Sequence, residues 1–159
     1  MQEISFSYQV ENTVPVPIEP VFNYFNDIQN FYHCSVDIQH FELINARASS
    51  WVLSNKGDMG LNFQPHYTIE YQPIENYGLR WNSTSGNVDI NGVIIFEYVE
   101  DSITKIKVTE SVCFTLPVSL IMSKIIRPIA ANQTRDDMLK LLERARHNIN
   151  KISNIGLEI

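Results

Sequence analysis

A chain of 159 residues, 44% of them hydrophobic, is long enough to bury a core of its own, and the sequence is expected to form one domain over residues 1–159. A formal net charge of -6 without a Lys/Arg cluster argues against nucleic acid as a partner, because that mode of binding needs a basic face. No run reaches the ~20 apolar residues of a membrane span. Cys34 and Cys113 lie far apart without CxxC spacing, and no apolar segment precedes the first strand, so a reducing, cytoplasmic setting is expected.

The chain opens on a strand: Ile4, Phe6, Tyr8 and Val10 alternate with polar residues, the period-2 pattern of a ribbon with one buried face. Val14-Pro15-Val16-Pro17-Ile18-Glu19-Pro20 then stops the strand and starts a short amphipathic helix, in which Val21, Phe22, Phe25 and Ile28 fall at helical spacing. Between Val36 and Leu116 the sequence reads as an antiparallel meander. Its turns are expected at Asn45–Arg47, Asn55–Asp58, Glu75–Gly78, Ser85–Asn87 and Glu100–Ser102. Leu61–Gln72 alternates with its odd residues inward, and Pro65, which has no N–H for a ladder, assigns this strand to a sheet edge or a bulge. The last strand, Ile103–Leu116, sets Ile106, Val108, Glu110, Val112 and Phe114 on one face and Lys105, Lys107, Thr109 and Ser111 on the other. A terminal helix follows, with Met138, Leu142, Ala145, Ile149 and Ile152 in one stripe, and Pro128 is expected to break it near Arg127.

This order resembles that of the START-like, or Bet v 1-like, superfamily (SRPBCC), and within it the polyketide cyclase/dehydrase and lipid-transport group. The resemblance covers nearly the whole chain. It is carried by the Pro-rich turn with Asn26-Asp27-Ile28, by the strand pattern, and by Thr134-Arg135-Asp136-Asp137-Met138-Leu139 opening the last helix. It implies an α+β helix-grip fold, in which a curved antiparallel sheet of about seven strands wraps a long C-terminal helix and two short helices follow the first strand. The function so implied is binding, with transport as one use of it, of a hydrophobic small molecule, lipid-like or polycyclic aromatic, in an internal cavity. Two other classes stay open: a polyketide cyclase, aromatase or dehydratase working by acid/base chemistry, and a quinone-binding or chaperone-like interaction module.

The inward faces would line that cavity with Trp51, Phe63, Tyr67, Trp81, Phe96, Glu110 and Phe114, opposite Met138 of the helix. Such a lining is aromatic and almost uncharged. Glu110 stands out, since a carboxylate on an apolar face is costly to ionise and its pKa is expected to rise, which makes it the candidate acid/base residue as well as a ligand contact. An inward Arg or Lys beside it would favour an enzyme. In polyketide aromatase/cyclases catalysis is attributed to pocket polar residues that include an arginine; here the comparable strand carries Tyr71, and Arg80 falls on the face opposite Trp81. The resemblance also places Tyr32, with His33, at the mouth. Leu120–Pro128 reads as an adaptable lid in which Ile121 and Ile125 meet the ligand and two cations allow peripheral contact with a membrane. The four histidines are scattered without ligand spacing, so neither a metal nor another cofactor is expected.

Overall fold

The computed structural model describes residues 1–57, 62–75 and 77–157. In chain order the elements are β1 (Gln2–Val14), α1 (Ile18–Asn26), α2 (Gln29–Cys34), β2 (Ile38–Asn45), β3 (Ala48–Leu53), β4 (His66–Ile74), β5 (Gly78–Gly86), β6 (Asp89–Glu100), β7 (Ile103–Leu116) and α3 (Leu120–Leu157). The seven strands form one antiparallel sheet in the order β1-β7-β6-β5-β4-β3-β2. The first strand thus lies beside the last, and α1 and α2 carry the chain to the far edge, where the meander begins. This is the α+β helix-grip architecture.

Local chemistry explains the junctions. Prolines 15 and 17 end β1, the buried Thr104 hydroxyl donates to the Val16 carbonyl at 2.7 Å, and Pro17 takes the N-cap of α1. Ser119 caps α3, its hydroxyl accepting from the Met122 N–H at 3.1 Å. Gly86, at φ 117°, ends β5 where a Cβ would collide with the His66 carbonyl oxygen, so this close approach of β5 to β4 admits glycine alone.

Several expectations are corrected. The strand expected over Leu61–Gln72 begins only at His66; Leu61 lies outside the described residues, as do Asp58 and Asn76 of the expected turns. Pro65 sits just before that strand, where its missing N–H costs no ladder bond, and β4 lies inside the sheet between β3 and β5 rather than at an edge. Its irregularity against β5 falls between Thr68 and Ile69. The terminal helix opens at Leu120 rather than at Thr134, and it does not break at Pro128 but runs for 38 residues with the proline inside it. Apolar anchors on both sides hold it to the sheet: Ile126 packs with Ile4 and Leu116, while Leu142, Ala145 and Ile149 enter the main core. One lost backbone hydrogen bond is small against that burial, at about 1.5–3 kcal/mol per large apolar side chain. Ile152, assigned to the same stripe, is 60% exposed, because the stripe ends at Ile149.

Candidate functional site

A cavity of about 260 Å³ lies between the inner face of the sheet and α3. Its walls are the inward residues of successive strands: Phe6 and Tyr8 of β1, Trp51 of β3, Tyr67, Ile69 and Tyr71 of β4, Trp81 of β5, Ile90 of β6, and Glu110, Val112 and Phe114 of β7. The helix closes it with Ile126, Ile129, Ala130, Met138 and Leu141. At one end Phe63 stacks on Phe114 with ring centroids 5.2 Å apart. Backbone bonds hold that wall, from the Lys56 N–H to the Phe63 carbonyl at 2.8 Å and from the Leu53 N–H to the Pro65 carbonyl at 2.9 Å.

The polar centre of the cavity is made by sheet register. Tyr8 pairs with Glu110, Glu110 with Gly92, Gly92 with Trp81 and Trp81 with Tyr71, which sets five residues in one row across β1, β7, β6, β5 and β4. Glu110 and Trp81 are two strands apart, beyond direct side-chain neighbour distance for most pairs. Gly92 bridges the gap by leaving room: a Cβ there would overlap the indole atoms of Trp81. The ring therefore reaches over Gly92, and its Nε1–H donates to Glu110 Oε2 at 2.9 Å. From the other side the Tyr8 hydroxyl lies 2.5 Å from Glu110 Oε1.

Glu110 is 8% exposed and Tyr8 9%, and no described Lys, Arg or His forms an ion pair with the carboxyl. Burial pushes the Glu110 pKa up, against the opposing pull of the hydrogen bonds from Tyr8 and Trp81. Each bond to an ionised group is worth about 1.5–3 kcal/mol and drying a carboxylate without a countercharge costs several kcal/mol, so the opposing effects are of comparable size and burial is the larger. Burial likewise pushes Tyr8 and Tyr67 up, with the charge of Glu110 acting in the same sense on both. These phenols stay protonated while Glu110 titrates.

Of the residues assigned to the site from sequence, Trp51, Phe63, Tyr67, Trp81, Glu110, Phe114 and Met138 stand in the cavity wall. Four do not. Phe96 is 2% exposed but packs away from the cavity, on Phe25 at 5.5 Å and Phe22 at 6.1 Å, because α1 covers that end of the sheet. Tyr32 stacks on Phe41 at 4.5 Å and lines, with His33, Asp37, Lys140 and Arg144, a surface cleft that adjoins the cavity through the shared wall of Ser35, Val36 and Ile38. Ile121 is 75% exposed and Ile125 47%, and neither lines the cavity. Each helical residue is turned about 100° from the last, so Ile126 takes the inward place that the lid reading gives to Ile121 and Ile125, while Ile129, half exposed, only borders the cavity. Tyr8 is legible as an inward residue of the first strand but not as the partner of Glu110, since only the β1–β7 register brings the two together.

The cysteines stay apart. Cys34 is buried beside the Tyr24 hydroxyl at 3.0 Å, with Asn148 of α3 donating to that hydroxyl at 3.0 Å, a bond network that ties α2 to α3. Among the described residues no three His, Cys, Asp or Glu side chains come together as metal ligands. No described helix is long and apolar enough to cross a membrane.

No protein-family profile and no curated protein matches the sequence. Solved structures do match in fold. A protein of Thermus thermophilus superposes with a TM-score of 0.78 at 19% identity, over 93% of this chain and 99% of that one. The Zhui aromatase/cyclase from Streptomyces sp. R1128 gives 0.73 at 9% identity, over 92% of this chain and 94% of the other. A START superfamily protein from Mycobacterium smegmatis gives 0.67 at 14% identity, over 92% and 99%. The chain shares its fold with the START and aromatase/cyclase structures, and at these identities the likeness speaks to fold alone.

The raised pKa of Glu110 has a consequence for stability. The folded protein holds the Glu110 proton to higher pH than the unfolded chain does, so this residue's contribution is complete below the ordinary carboxylate range and is lost as pH rises through the folded-state value. Glu110→Gln keeps the shape and removes the titration. Urea unfolding over a pH series is expected to show the wild type losing stability relative to Glu110→Gln as pH rises, with the gap opening above the ordinary carboxylate range; a constant gap would mean that Glu110 has an ordinary pKa.

Proposed function

We propose that residues 1–159 act as one ligand-binding domain that holds a hydrophobic small molecule, lipid-like or polycyclic aromatic, between the sheet and α3. The observation that carries this reading is a mainly apolar cavity, walled by aromatic and aliphatic side chains, whose interior polar centre is the Tyr8–Glu110–Trp81 triad. Small-molecule sites commonly combine such a lining with a few placed polar groups. The likeness in fold to a START superfamily protein and to an aromatase/cyclase supports it as analogy. Between binding and cyclase chemistry the surroundings of Glu110 favour binding. Its partners are a phenol and an indole rather than an inward Arg or Lys, and Arg80 is exposed on the opposite face.

The neutral fluorophore N-phenyl-1-naphthylamine tests the reading. We expect saturable binding at one site per chain, with a change in Trp81 emission. Met138→Trp fills the cavity and should weaken binding by about tenfold or more, equivalent to roughly 1.4 kcal/mol. Phe96→Leu should lower stability and leave probe affinity unchanged, since Phe96 packs outside the cavity. Probe affinity that follows Phe96 and ignores Met138 would overturn the assignment.

A second reading concerns the outer face of the first turns of α3. Leu120, Ile121, Ile125 and Ile129 are exposed together, Lys124 and Arg127 flank them, and Ile129 also borders the cavity. Monomer surfaces seldom leave such a patch bare, and the paired cations fit an anionic lipid surface. This face is read as a peripheral membrane contact at the cavity mouth. Cosedimentation with vesicles of phosphatidylglycerol and phosphatidylcholine should be lost in the double variant Ile121→Glu/Ile125→Glu while probe binding persists; wild-type protein that never sediments would contradict it.

A further inference from the structure

The triad carries a proton count that fixes what the cavity offers to a ligand. The Trp81 indole has a donor and no acceptor, so Glu110 Oε2 must accept in that contact. The Tyr8–Glu110 contact takes one further proton, from whichever of the two hydroxyl groups donates. With Glu110 ionised the three groups own two protons and make two contacts, and nothing is left over. With Glu110 protonated they own three. One O–H, the acid's or the phenol's, then has no acceptor within the triad, and it does not matter which oxygen bears the acid proton.

Among the described residues no group outside the triad hydrogen-bonds to the Glu110 carboxyl or to the Tyr8 hydroxyl. From β4, Tyr67 and Tyr71 face Glu110; β5 contributes the Trp81 indole, β6 contributes Gly92 and Ile90, and β1 contributes Tyr8 itself. On α3 the titratable group bordering the cavity is Asp137, whose charge bears on Tyr8, and Lys56 stands on the wall beside Asp137. Burial pushes the pKa values of all three tyrosines, and of Asp137, upward. A buried donor without an acceptor is costly, and a ligand oxygen arriving at the same place removes that cost.

We propose that the Tyr8–Glu110–Trp81 triad selects hydrophobes bearing a carbonyl-type oxygen at their buried end, and that it does so only while Glu110 is protonated. This rests on the reading of the cavity as a hydrophobe site and adds the ligand's polar group. Ionising Glu110 turns both of its oxygens into acceptors already in use by Tyr8 and Trp81, so the donor to the ligand disappears and a carbonyl meets a negative charge instead. Ligand affinity is thereby linked to a proton: the carbonyl ligand favours the protonated site and raises the Glu110 pKa when bound, by reciprocity.

The test uses a matched pair of neutral probes, 2-acetylnaphthalene and 2-isopropenylnaphthalene, which differ in shape by little more than C=O against C=CH2. Affinities are measured over a pH series while the Glu110 side-chain carboxyl is followed by carbon-13 NMR. The acetyl compound should bind about tenfold more tightly where Glu110 is protonated, with the ratio falling to near one as that carbon signal titrates. Glu110→Gln supplies the control. Its amide oxygen accepts from Trp81, its NH2 donates to Tyr8, and the phenol proton stays free at every pH, so the preference should persist and its pH dependence vanish. A ratio near one where Glu110 is protonated would overturn the selection, as would a ratio in the wild type that ignores the Glu110 titration. Failure of both probes to bind would overturn the hydrophobe-site reading, and equal binding of both would leave that reading standing while refuting the carbonyl preference.

Discussion

Glu110 is a carboxyl group shut into an apolar cavity with two neutral donors and no countercharge, and the arrangement around it follows from that constraint. A buried carboxylate needs either a cation or a proton. The sheet provides no cation on that face, because the charged residues of β7, Lys105 and Lys107, alternate to the other side. Tyr8 and Trp81 supply hydrogen bonds that orient the group without neutralising it. While Glu110 is protonated the triad carries no charge and has one donor to spare, which suits a neutral hydrophobe better than an anionic ligand.

That site depends on a residue with no side chain. The indole of Trp81 crosses two strand spacings to reach Glu110, and it does so over Gly92, where any Cβ would occupy the position of the ring. Sheet register, aromatic reach and a glycine are therefore one device. Outside it, α1 seals one end of the sheet by packing Phe22 and Phe25 on Phe96, while Phe31 of α2 packs on Tyr71 and Trp81 in the cavity wall and α3 lies across the remaining face.

Much of the fold is legible in alternation and punctuation. The inward residues of β1 and β7 follow from sequence because each strand is long, antiparallel and strictly alternating, and the Pro-rich segment announces α1. The failures have physical causes. Pro65 reads as part of a strand since the alternation of Phe63, Tyr67 and Ile69 continues through it, although the ladder starts only at His66. Pro128 reads as a break because local rules ignore the two apolar anchors that hold α3 to the sheet on either side of it. In the site, Glu110 is visible as one charge in an apolar face, and the aromatic wall follows from the same pattern. Its partners are not visible, because pairing across β1, β7, β6 and β5 depends on register, which no single strand encodes. Ile121 and Ile125 show the same limit on a helix, where apolar character alone does not say which residues of Leu120–Ile129 turn inward.

The most direct test of the protonated triad as a carbonyl site is a crystal structure of the complex with 2-acetylnaphthalene at a pH where Glu110 is protonated. The naphthalene ring is expected between Tyr67, Phe114 and Met138, with its carbonyl oxygen at hydrogen-bond distance from Tyr8 Oη or a Glu110 carboxyl oxygen. A ligand lodged in the surface cleft of Tyr32, Lys140 and Arg144, or one seated in the cavity with its carbonyl turned toward Lys56 and away from the triad, would contradict it.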